Sequence, residues 1–507
     1  STTIGENGFR RGLVASSFDV GGGELLTAAE VVFNDSPFIL EENLEKYNGL
    51  LKYARETNVG DWSVSFSAYD AQWTSTDQVP LRAIESDLIS RLGFIDPDLG
   101  GETTRIALSG QVTVNDFSFS AYALYYDFSL FSNFTYFVND PVNGDEFEQR
   151  DERVTIGGSI DYAKSFTFGG RDAVFRTGGD LRYDDIFDIG LFDTVARERI
   201  RTVRDDEVQE LSVGGFAELE INVTDRLRVS VGGRGDFFDF SVESSIVENS
   251  GEGSDAIFTP TASAAWRAAD ALEFYANYGQ SFHSNDVRGA AISIDPRTLE
   301  AVDPVDVLVR AEGAEIGARY SRGPFNVTIA GFWLELDEEL VFVGDAGTTE
   351  PNDATRRFGV EFSAFWTPTE WIRFDGTAAY TDARFKDAPS DADRIPQAVE
   401  NVFGAGVTVD PTERLSATLR LRRFGTAPLI EDASVFSEPT TVVNFGLYYD
   451  LGPARLGLDV QNLLDSEDAD ITYFFESQLP GETTPVPDIH FHPVEPRQVR
   501  GSLSLQF

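Results

Sequence analysis

The sequence predicts an all-β protein, a single large transmembrane antiparallel β-barrel of about 22 strands that occupies residues 1–507. Three observations lead to this prediction. Apolar and polar residues alternate with a period of two along many short segments, and very short turns alternate with long polar connections. In addition, the chain has no apolar stretch of about 20 residues that could form a membrane-spanning helix.

The alternation is clearest between Leu415 and Arg422, where every second residue is leucine or alanine and the intervening ones are serine, threonine or arginine. Because successive side chains of a strand point to opposite faces, this segment separates an apolar medium from a polar one. The same pattern recurs around Phe117, Leu227 and Leu456, and again at the end of the chain. Seven arginines belong to the polar faces: Arg228, Arg234, Arg414, Arg420, Arg422, Arg455 and Arg500.

The connections between these segments fall into two classes, as expected for short periplasmic turns and long extracellular loops. The short turns are predicted at 21–23, 58–60, 115–116, 169–171, 224–226, 269–271, 322–324, 368–370, 411–413 and 452–453. The long loops are predicted at 75–101, 132–151, 244–256, 285–306, 344–353, 386–396 and 465–495. Ten short turns join 20 strands, the segment 497–507 adds one, and residues 1–5 complete a total of 22.

Composition excludes several classes of function. A formal net charge of −45 argues against a nucleic-acid partner, because such proteins need a basic face to displace counterions from phosphates. The absence of cysteine removes disulfides and thiolate chemistry. The sequence contains no methionine and does not begin with a leader peptide, so we expect a processed or cut chain.

Two segments near the end of the sequence resemble the TonB-dependent outer-membrane receptor family. Residues 495–500, followed by a strand that ends at Phe507, are similar to the last strand of that family. Residues 460–465 resemble the Asn-Leu-Phe-Asp motif of its penultimate strand, with Leu464 in place of Phe. The resemblance covers all 507 residues as barrel. Neither the plug domain nor the energy-coupling box that the family places before the barrel is found, so we expect the N-terminal plug to be absent from this chain.

The resemblance implies a transporter in the outer membrane of a Gram-negative bacterium that crosses the membrane many times. It implies uptake of a scarce nutrient such as siderophore-bound iron, a cobalamin or an oligosaccharide, with energy coupling only if a plug is supplied. The implied partners are outer-membrane lipid and lipopolysaccharide, the barrel-assembly machinery, which would read Phe507, and a plug with the TonB complex. No cofactor is implied. The inward arginines would pair with acidic groups across the lumen or on the plug, or contact an anionic substrate.

One loop carries the predicted substrate contacts, which are His283, Asn285, Asp286 and Arg288. Together with Ser284 these residues supply the nucleophile, base and acid types of a hydrolase. Members of a catalytic triad must converge from separate elements, however, and adjacent residues of one loop rarely do so. We therefore expect loop ordering or substrate contact and no enzymatic activity.

A second candidate contact is the pair His490 and His492. Residues i and i+2 of an extended segment share a face, so both imidazoles could meet one divalent metal with Glu495 nearby. An ordinary solvated loop is the simpler interpretation, and we expect a substrate contact without a metal site.

Three alternatives to the coupled transporter stay open from the sequence. A plugless barrel would act as a passive porin. An outer-membrane hydrolase would require a convergent triad. The barrel could also serve as an adhesion or assembly scaffold.

Overall fold

The computed structural model describes residues 1–343, 348–352 and 354–506. Strands dominate this part of the chain, and helix is confined to α1 (Leu81–Glu85), α2 (Val287–Ala290) and the 3-10 turn Val247–Asn249. The strands of the described residues, in chain order, are β1 (Thr2–Gly5), β2 (Arg10–Val20), β3 (Gly23–Asn34), β4 (Leu44–Glu56), β5 (Asp61–Thr74), β6 (Val79–Pro80), β7 (Gly100–Val114), β8 (Phe117–Ser132), β9 (Phe147–Phe168), β10 (Arg171–Val195), β11 (Glu198–Thr224), β12 (Leu227–Ser244), β13 (Gly251–Ala269), β14 (Leu272–Ser284), β15 (Leu308–Arg322), β16 (Phe325–Leu336), β17 (Glu339–Val343), β18 (Thr348–Asn352), β19 (Thr355–Thr369), β20 (Ile372–Phe385), β21 (Asn401–Thr412), β22 (Leu415–Phe424), β23 (Thr440–Asp450), β24 (Ala454–Gln461), β25 (Ala469–Ser477), β26 (Val486–Pro493) and β27 (Gln498–Leu505).

Twenty-two of these strands form one antiparallel sheet that closes on itself. The seam lies at β1, which pairs with β2 on one side and with β27 on the other. Thr2 lies opposite Gly12 of β2 and opposite Leu503 of β27. Closure satisfies the backbone hydrogen bonds between strands and leaves no long free edge, which is the condition for crossing a bilayer with strands. The predicted barrel of about 22 strands is confirmed.

The two faces of the barrel wall differ in polarity as the alternation predicts. On β12 and β13 the outward side chains include Val231 and Phe258, which are 52% and 61% exposed. Such exposure of large apolar groups is explained by contact with lipid. Arg228 and Arg234 have the opposite parity on β12 and face the lumen.

Short two- to four-residue turns join strands at one end of the barrel, at all ten predicted positions. The other end, called here the long-loop end, carries most of the polar connections. No long loop joins β10 and β11 at this end. They are connected by only two residues, Ala196 and Arg197, and both have positive φ, as a tight hairpin turn requires. These two strands are instead 25 and 27 residues long and project beyond their neighbours.

Several predicted loops are shorter or more ordered than expected. β9 and β13 begin at Phe147 and Gly251, inside the predicted loops 132–151 and 244–256. The loop 465–495 contains β25 and β26, which form a small three-stranded sheet with β6 from another loop. Part of the predicted loop 344–353 lies outside the described residues, as does Phe507, the predicted assembly signal.

Among the described residues, no helix is long and apolar enough to span a membrane.

Candidate substrate site at the mouth of the barrel

The loop between β14 and β15 is held over the long-loop end by an ion pair within its own first turn. Asp286 caps α2 by accepting a hydrogen bond from the backbone N–H of Arg288 at 2.9 Å, and Arg288 Nη2 donates to Asp286 Oδ2 at 2.6 Å. Burial alone would raise the pKa of Asp286, but the charge and hydrogen bonds of Arg288 overcome this effect and lower it to about 2. Asp286 is therefore ionised and committed to Arg288.

This turn is seated against the tall strand β11. Arg204 Nη2 donates to the carbonyl oxygen of Arg288 at 3.3 Å, and Arg204 forms a buried ion pair with Asp206. Asp206 Oδ1 is buried without a hydrogen-bond partner among the described residues. Val287 packs beside these charges in an apolar cluster that includes Val208 of the same strand. Polar and apolar contacts together fix α2 on the inner side of β11.

The four predicted contact residues of this loop separate into two groups. Asn285 Nδ2 donates to Asp306 O at 2.6 Å, and its backbone N–H donates to Val307 O at 2.8 Å, so Asn285 ties the start of the loop to its end. Asn285, Asp286 and Arg288 are thus brought together as a loop anchor. His283 is exposed at the end of β14, opposite Val309, and no hydrogen bond joins it to another described side chain.

His490 and His492 lie on β26 in the small loop sheet. Nε2 and Nδ1 of His490 are 2.7 Å from Ser477 Oγ and 3.0 Å from Asp488 O, and its ring stacks on Phe475 at 3.7 Å. Burial lowers the pKa of His490 to about 4. His492 Nδ1 instead lies 3.0 Å from Asp470 Oδ1. Each imidazole therefore has its own partners, and the ring nitrogens of His490 are both engaged within the loop.

One group of carboxylates lies close enough together to hold a cation. Single oxygens of Asp96, Asp98 and Glu146 are within 4.8 Å of one another. Glu146 is already used structurally, because it accepts hydrogen bonds from Thr194 and from the backbone N–H groups of Ala196 and Arg197. The Glu146 carboxylate thereby supports the tight turn between β10 and β11.

A pocket of about 570 Å³, called here the mouth pocket, lies at the long-loop end. Three connections contribute to it, namely the β8–β9 loop, the β10–β11 hairpin and the β14–β15 loop. Asp193 pairs across it with Arg201 at 2.5 Å and with Arg297 at 3.1 Å. Arg297 belongs to the loop that Asp286 and Arg288 anchor, so the anchor places one wall of the pocket.

The carboxylates of the β8–β9 loop are engaged in hydrogen bonds within the loop itself. Asp145 accepts hydrogen bonds from the backbone N–H groups of Asn139 and Asp140 and from the Thr135 hydroxyl. Asp140 accepts from the backbone N–H groups of Val142 and Asn143, and these bonds lower its pKa. These acids line the pocket, but their oxygens are already engaged. The side chain of Arg201, in contrast, is 60% exposed.

Three of the seven inward arginines, Arg228, Arg234 and Arg420, form ion pairs with acids of the barrel wall. Arg234 bridges Asp180 at 2.7 Å and Asp236 at 2.6 Å, and Arg420 pairs with Asp375 at 2.9 Å. Others lie over aromatic rings: Arg422 over Phe424, Arg455 over Tyr448 and Arg500 over Phe9. The inward arginines are therefore held in part by ion pairs and in part by aromatic rings.

Sequence reasoning missed Arg201, Asp193, Arg204 and Arg297. Arg201 and Asp193 face one another across a two-residue hairpin that had not been predicted, and Arg297 reaches them from a loop about 100 residues further on. No local motif marks these residues. Alternating charges in 193–206 were the one available signal for strands that stand above the membrane.

Comparison with known proteins agrees with this architecture. The family described as "TonB dependent receptor-like, beta-barrel" matches residues 34–463, well over half of the chain. No curated protein matches the sequence significantly.

Three solved structures show the same fold over 100% of this chain. They are the ferric-catecholate import receptor Fiu from E. coli K12 (14% identity, TM-score 0.77, 81% of that chain), the ferric citrate transporter FecA (14%, 0.80, 77%) and the ferric yersiniabactin uptake receptor FyuA from Yersinia pestis (14%, 0.75, 79%). At these identities the likeness establishes the fold, and the sequence match establishes the family. The chain belongs to the TonB-dependent receptor family and is the β-barrel of an outer-membrane nutrient-uptake receptor.

Proposed function

We propose that this barrel takes up an anionic metal chelate, of the siderophore-iron class, from the medium outside a Gram-negative cell. The observation that carries the proposal is the mouth pocket, in which Arg201 and Arg297 both form ion pairs with Asp193. Its volume of about 570 Å³ lies within the range of about 300–1,000 Å³ typical of small-molecule sites. The names of the three structural neighbours, which import ferric catecholate, ferric citrate and ferric yersiniabactin, support the same class.

The chemistry of the pocket favours an anion over a neutral sugar. Guanidinium groups bind carboxylates and catecholates through paired N–H donors. An incoming chelate would compete with Asp193 for the two arginines, while the other acids of the pocket remain occupied by their own loop. A neutral oligosaccharide offers no anionic group to these arginines.

A binding titration tests this proposal. We expect Arg201→Ala and Arg297→Ala to weaken binding of a ferric siderophore by about tenfold each, the loss of one charge-assisted contact. Arg322→Ala, which removes an exposed arginine from a short turn at the other end of the barrel, should leave affinity unchanged. Equal affinities in all three variants would contradict the assignment of the pocket.

We propose further that transport is coupled to energy only when a plug and the TonB complex engage the barrel. The barrel-assembly machinery would recognise the C-terminal strand with Phe507, and lipopolysaccharide would surround the outer wall. We propose no enzymatic activity, since His283 has no nucleophile or acid partner among the described side chains.

A passive porin is the second candidate, because the lumen is wide enough to conduct. The two functions separate in a planar bilayer. A barrel with an attached plug should be nearly silent, whereas a plugless barrel should pass a large ionic current. A steady large current from the protein isolated from outer membranes would favour the porin.

A further inference from the structure

The strand β25 crosses the mouth of the barrel and is tied down at both of its ends. At its start, the hydroxyl of Thr440, the first residue of β23, donates to the carbonyl oxygen of Ala469. Just after its end, the backbone N–H of Gln478 donates to Thr135 O in the β8–β9 loop at 3.0 Å. The strands β24, β27, β1 to β5 and β7 lie between β23 and β8 in the wall, so β25 is fixed at two distant points of the mouth.

Arg82 of α1 holds the far end of the small sheet. Its Nη2 donates to Ser477 O at 2.8 Å, its Nε donates to Glu482 Oε1 at 2.9 Å, and its Nη1 donates to Asp488 Oδ2 at 3.2 Å. One guanidinium thereby joins β25, the turn that follows it and β26. The backbone of β25 is therefore held in place by contacts within the protein.

One edge of β25 has no strand partner. The other edge pairs with β26, and β6 extends the sheet on that side. In the described part of the chain, no strand pairs with the opposite edge, and no backbone hydrogen bond from a loop reaches residues 470–477. This edge is called here the free edge.

The free edge lacks the usual protection against pairing. Lysine and proline commonly block exposed edges, and β25 contains neither. A bulge interrupts its pairing with β26 at Asp470, and residues 471–477 then continue in regular register. Seven residues of strand present about 23 Å of backbone donors and acceptors.

A crevice of about 230 Å³ lies beside the start of the free edge. Residues 469–472 line it, and no described residue of β26 or β6 does, so the crevice is on the unpaired side of β25. Its other wall includes the apolar side chains of Val399, Phe424, Ala427 and Leu429. An extended chain that pairs with the free edge would place a side chain in this crevice.

The charges beside the free edge are negative. Glu438 lines the crevice and Glu476 is exposed near the end of β25, and among the described residues neither carboxylate has a cationic partner. A third acid, Asp470, lies 3.0 Å from His492. No described lysine or arginine lines the crevice, and Arg82 is committed to two carboxylates of its own loop sheet. A basic partner therefore complements this edge.

We propose that the free edge binds an extended, basic segment of a polypeptide by strand addition. The backbone of the segment pairs with residues 471–477, an apolar side chain enters the crevice, and basic side chains meet Glu438 and Glu476. The crevice and the two glutamates select a segment in which apolar and basic residues alternate. The proposal goes beyond nutrient uptake and does not depend on the chelate.

Fluorescence anisotropy with the full chain in detergent tests this site. The probe is a labelled seven-residue peptide of alternating lysine and valine, and its two analogues are methylated at every backbone nitrogen or carry glutamate in place of lysine. The wild-type protein should bind the probe at least about tenfold more tightly than either analogue, because one lacks backbone donors and the other has the wrong charge. Equal affinity for the methylated analogue, or no binding of the probe, would overturn the proposal.

Ile471→Lys places a cation in the crevice and should weaken binding of the probe about fivefold or more. Ile471 is 36% exposed, and Val247→Lys is the matched control, because Val247 is an exposed apolar residue of another loop at the same end. Glu476→Gln should weaken binding about two- to fivefold, whereas Glu248→Gln should leave it unchanged. Heat-modifiable electrophoretic mobility shows that each variant forms a closed barrel. Equal affinities of Ile471→Lys and Val247→Lys would place the peptide elsewhere and contradict the assignment.

Discussion

Arg288 and Asp286, two residues apart, form an ion pair with Nη2 and Oδ2 separated by 2.6 Å, and the same carboxylate caps the helical turn that contains Arg288. The start of the β14–β15 loop is therefore fixed by two of its own residues. Arg204 joins it to the barrel wall by donating to the Arg288 carbonyl oxygen. An ion pair committed in this way positions the rest of the loop.

Replacing Arg288 by glutamine should release the β14–β15 loop. The change leaves Asp286 without its cation, and breaking a partly buried pair of this kind costs about 3 kcal/mol. Limited proteolysis should then cut within 291–306 many times faster than in the wild type. Arg288→Lys should be intermediate, since it keeps the charge without the paired donors, and Arg322→Gln should behave as wild type. Unchanged cleavage of Arg288→Gln would contradict the anchor.

In the mouth pocket, one substitution is expected to strengthen an interaction instead of weakening it. Asp193→Asn removes the carboxylate that competes for Arg201 and Arg297, so an anionic chelate should bind a few times more tightly than to the wild type. Isothermal titration with a ferric siderophore measures the change. Weaker binding by Asp193→Asn would mean that the pocket recognises a cation or a neutral ligand.

The loops near Glu42 should be more stable in acid than at neutral pH. Burial, and then the charge of Glu495, raises the pKa of Glu42 to about 7. Burial lowers the pKa of His492, but its hydrogen bond to Asp470 and the surrounding carboxylates outweigh that effect and raise it. Both raised pKa values make the folded loops more stable in acid than at higher pH. The stabilisation from Glu42 is full below pH 4.5 and is lost as the pH rises through about 7.

Hydrogen exchange checks this dependence, once corrected for the intrinsic exchange rate. Protection of residues 35–43 should be greater at pH 5 than at pH 8, and Glu42→Gln should remove most of the difference. Glu41→Gln, a change at the exposed neighbouring residue, should preserve it. Greater protection at pH 8 would show that the sign is wrong.

The seam of the barrel can be tested by cross-linking, because the native chain contains no cysteine. Thr3 lies opposite Ser502 across β1 and β27. The double variant Thr3→Cys, Ser502→Cys should therefore form an intramolecular disulfide under mild oxidation. A pair placed on distant strands, Thr3→Cys with Ser230→Cys, should not. Failure of the first pair to cross-link in a folded barrel would contradict closure at this seam.

The strands and short turns could be predicted from the sequence because period-two alternation is a local property. Leu415 to Arg422 shows it in eight residues, and the turns are marked by glycine, proline, asparagine or aspartate. The hairpin at Ala196 and Arg197 was missed since neither residue is a typical turn former, and both adopt positive φ under the constraint of the paired strands. The hairpin of β25 and β26 in the last long loop was also missed. The strand that pairs with the other edge of β26, β6, lies about 400 residues earlier.

The candidate site was only partly predictable. Asn285, Asp286 and Arg288 were identified from one loop, and the structure places them together because their contacts are nearly all local. His490 and His492 were expected in a solvated loop, whereas they lie on β26, where His490 is buried. The side chains that engage them, Ser477 and Asp470, come from β25. Arg297 reaches Asp193 only through tertiary folding, because it lies about 100 residues further along the chain. Such convergence leaves no pattern in a single sequence.

The central claim is that every barrel strand has one face in contact with lipid and the other in contact with water. Single-cysteine scanning of β22 tests this claim most directly. Spin labels at Leu415 to Arg422, with the protein in a bilayer, report collision rates with oxygen and with a water-soluble nickel complex. Labels at 415, 417, 419 and 421 should favour oxygen, and those at 416, 418, 420 and 422 should favour nickel. Equal access to nickel at all eight positions would contradict the account.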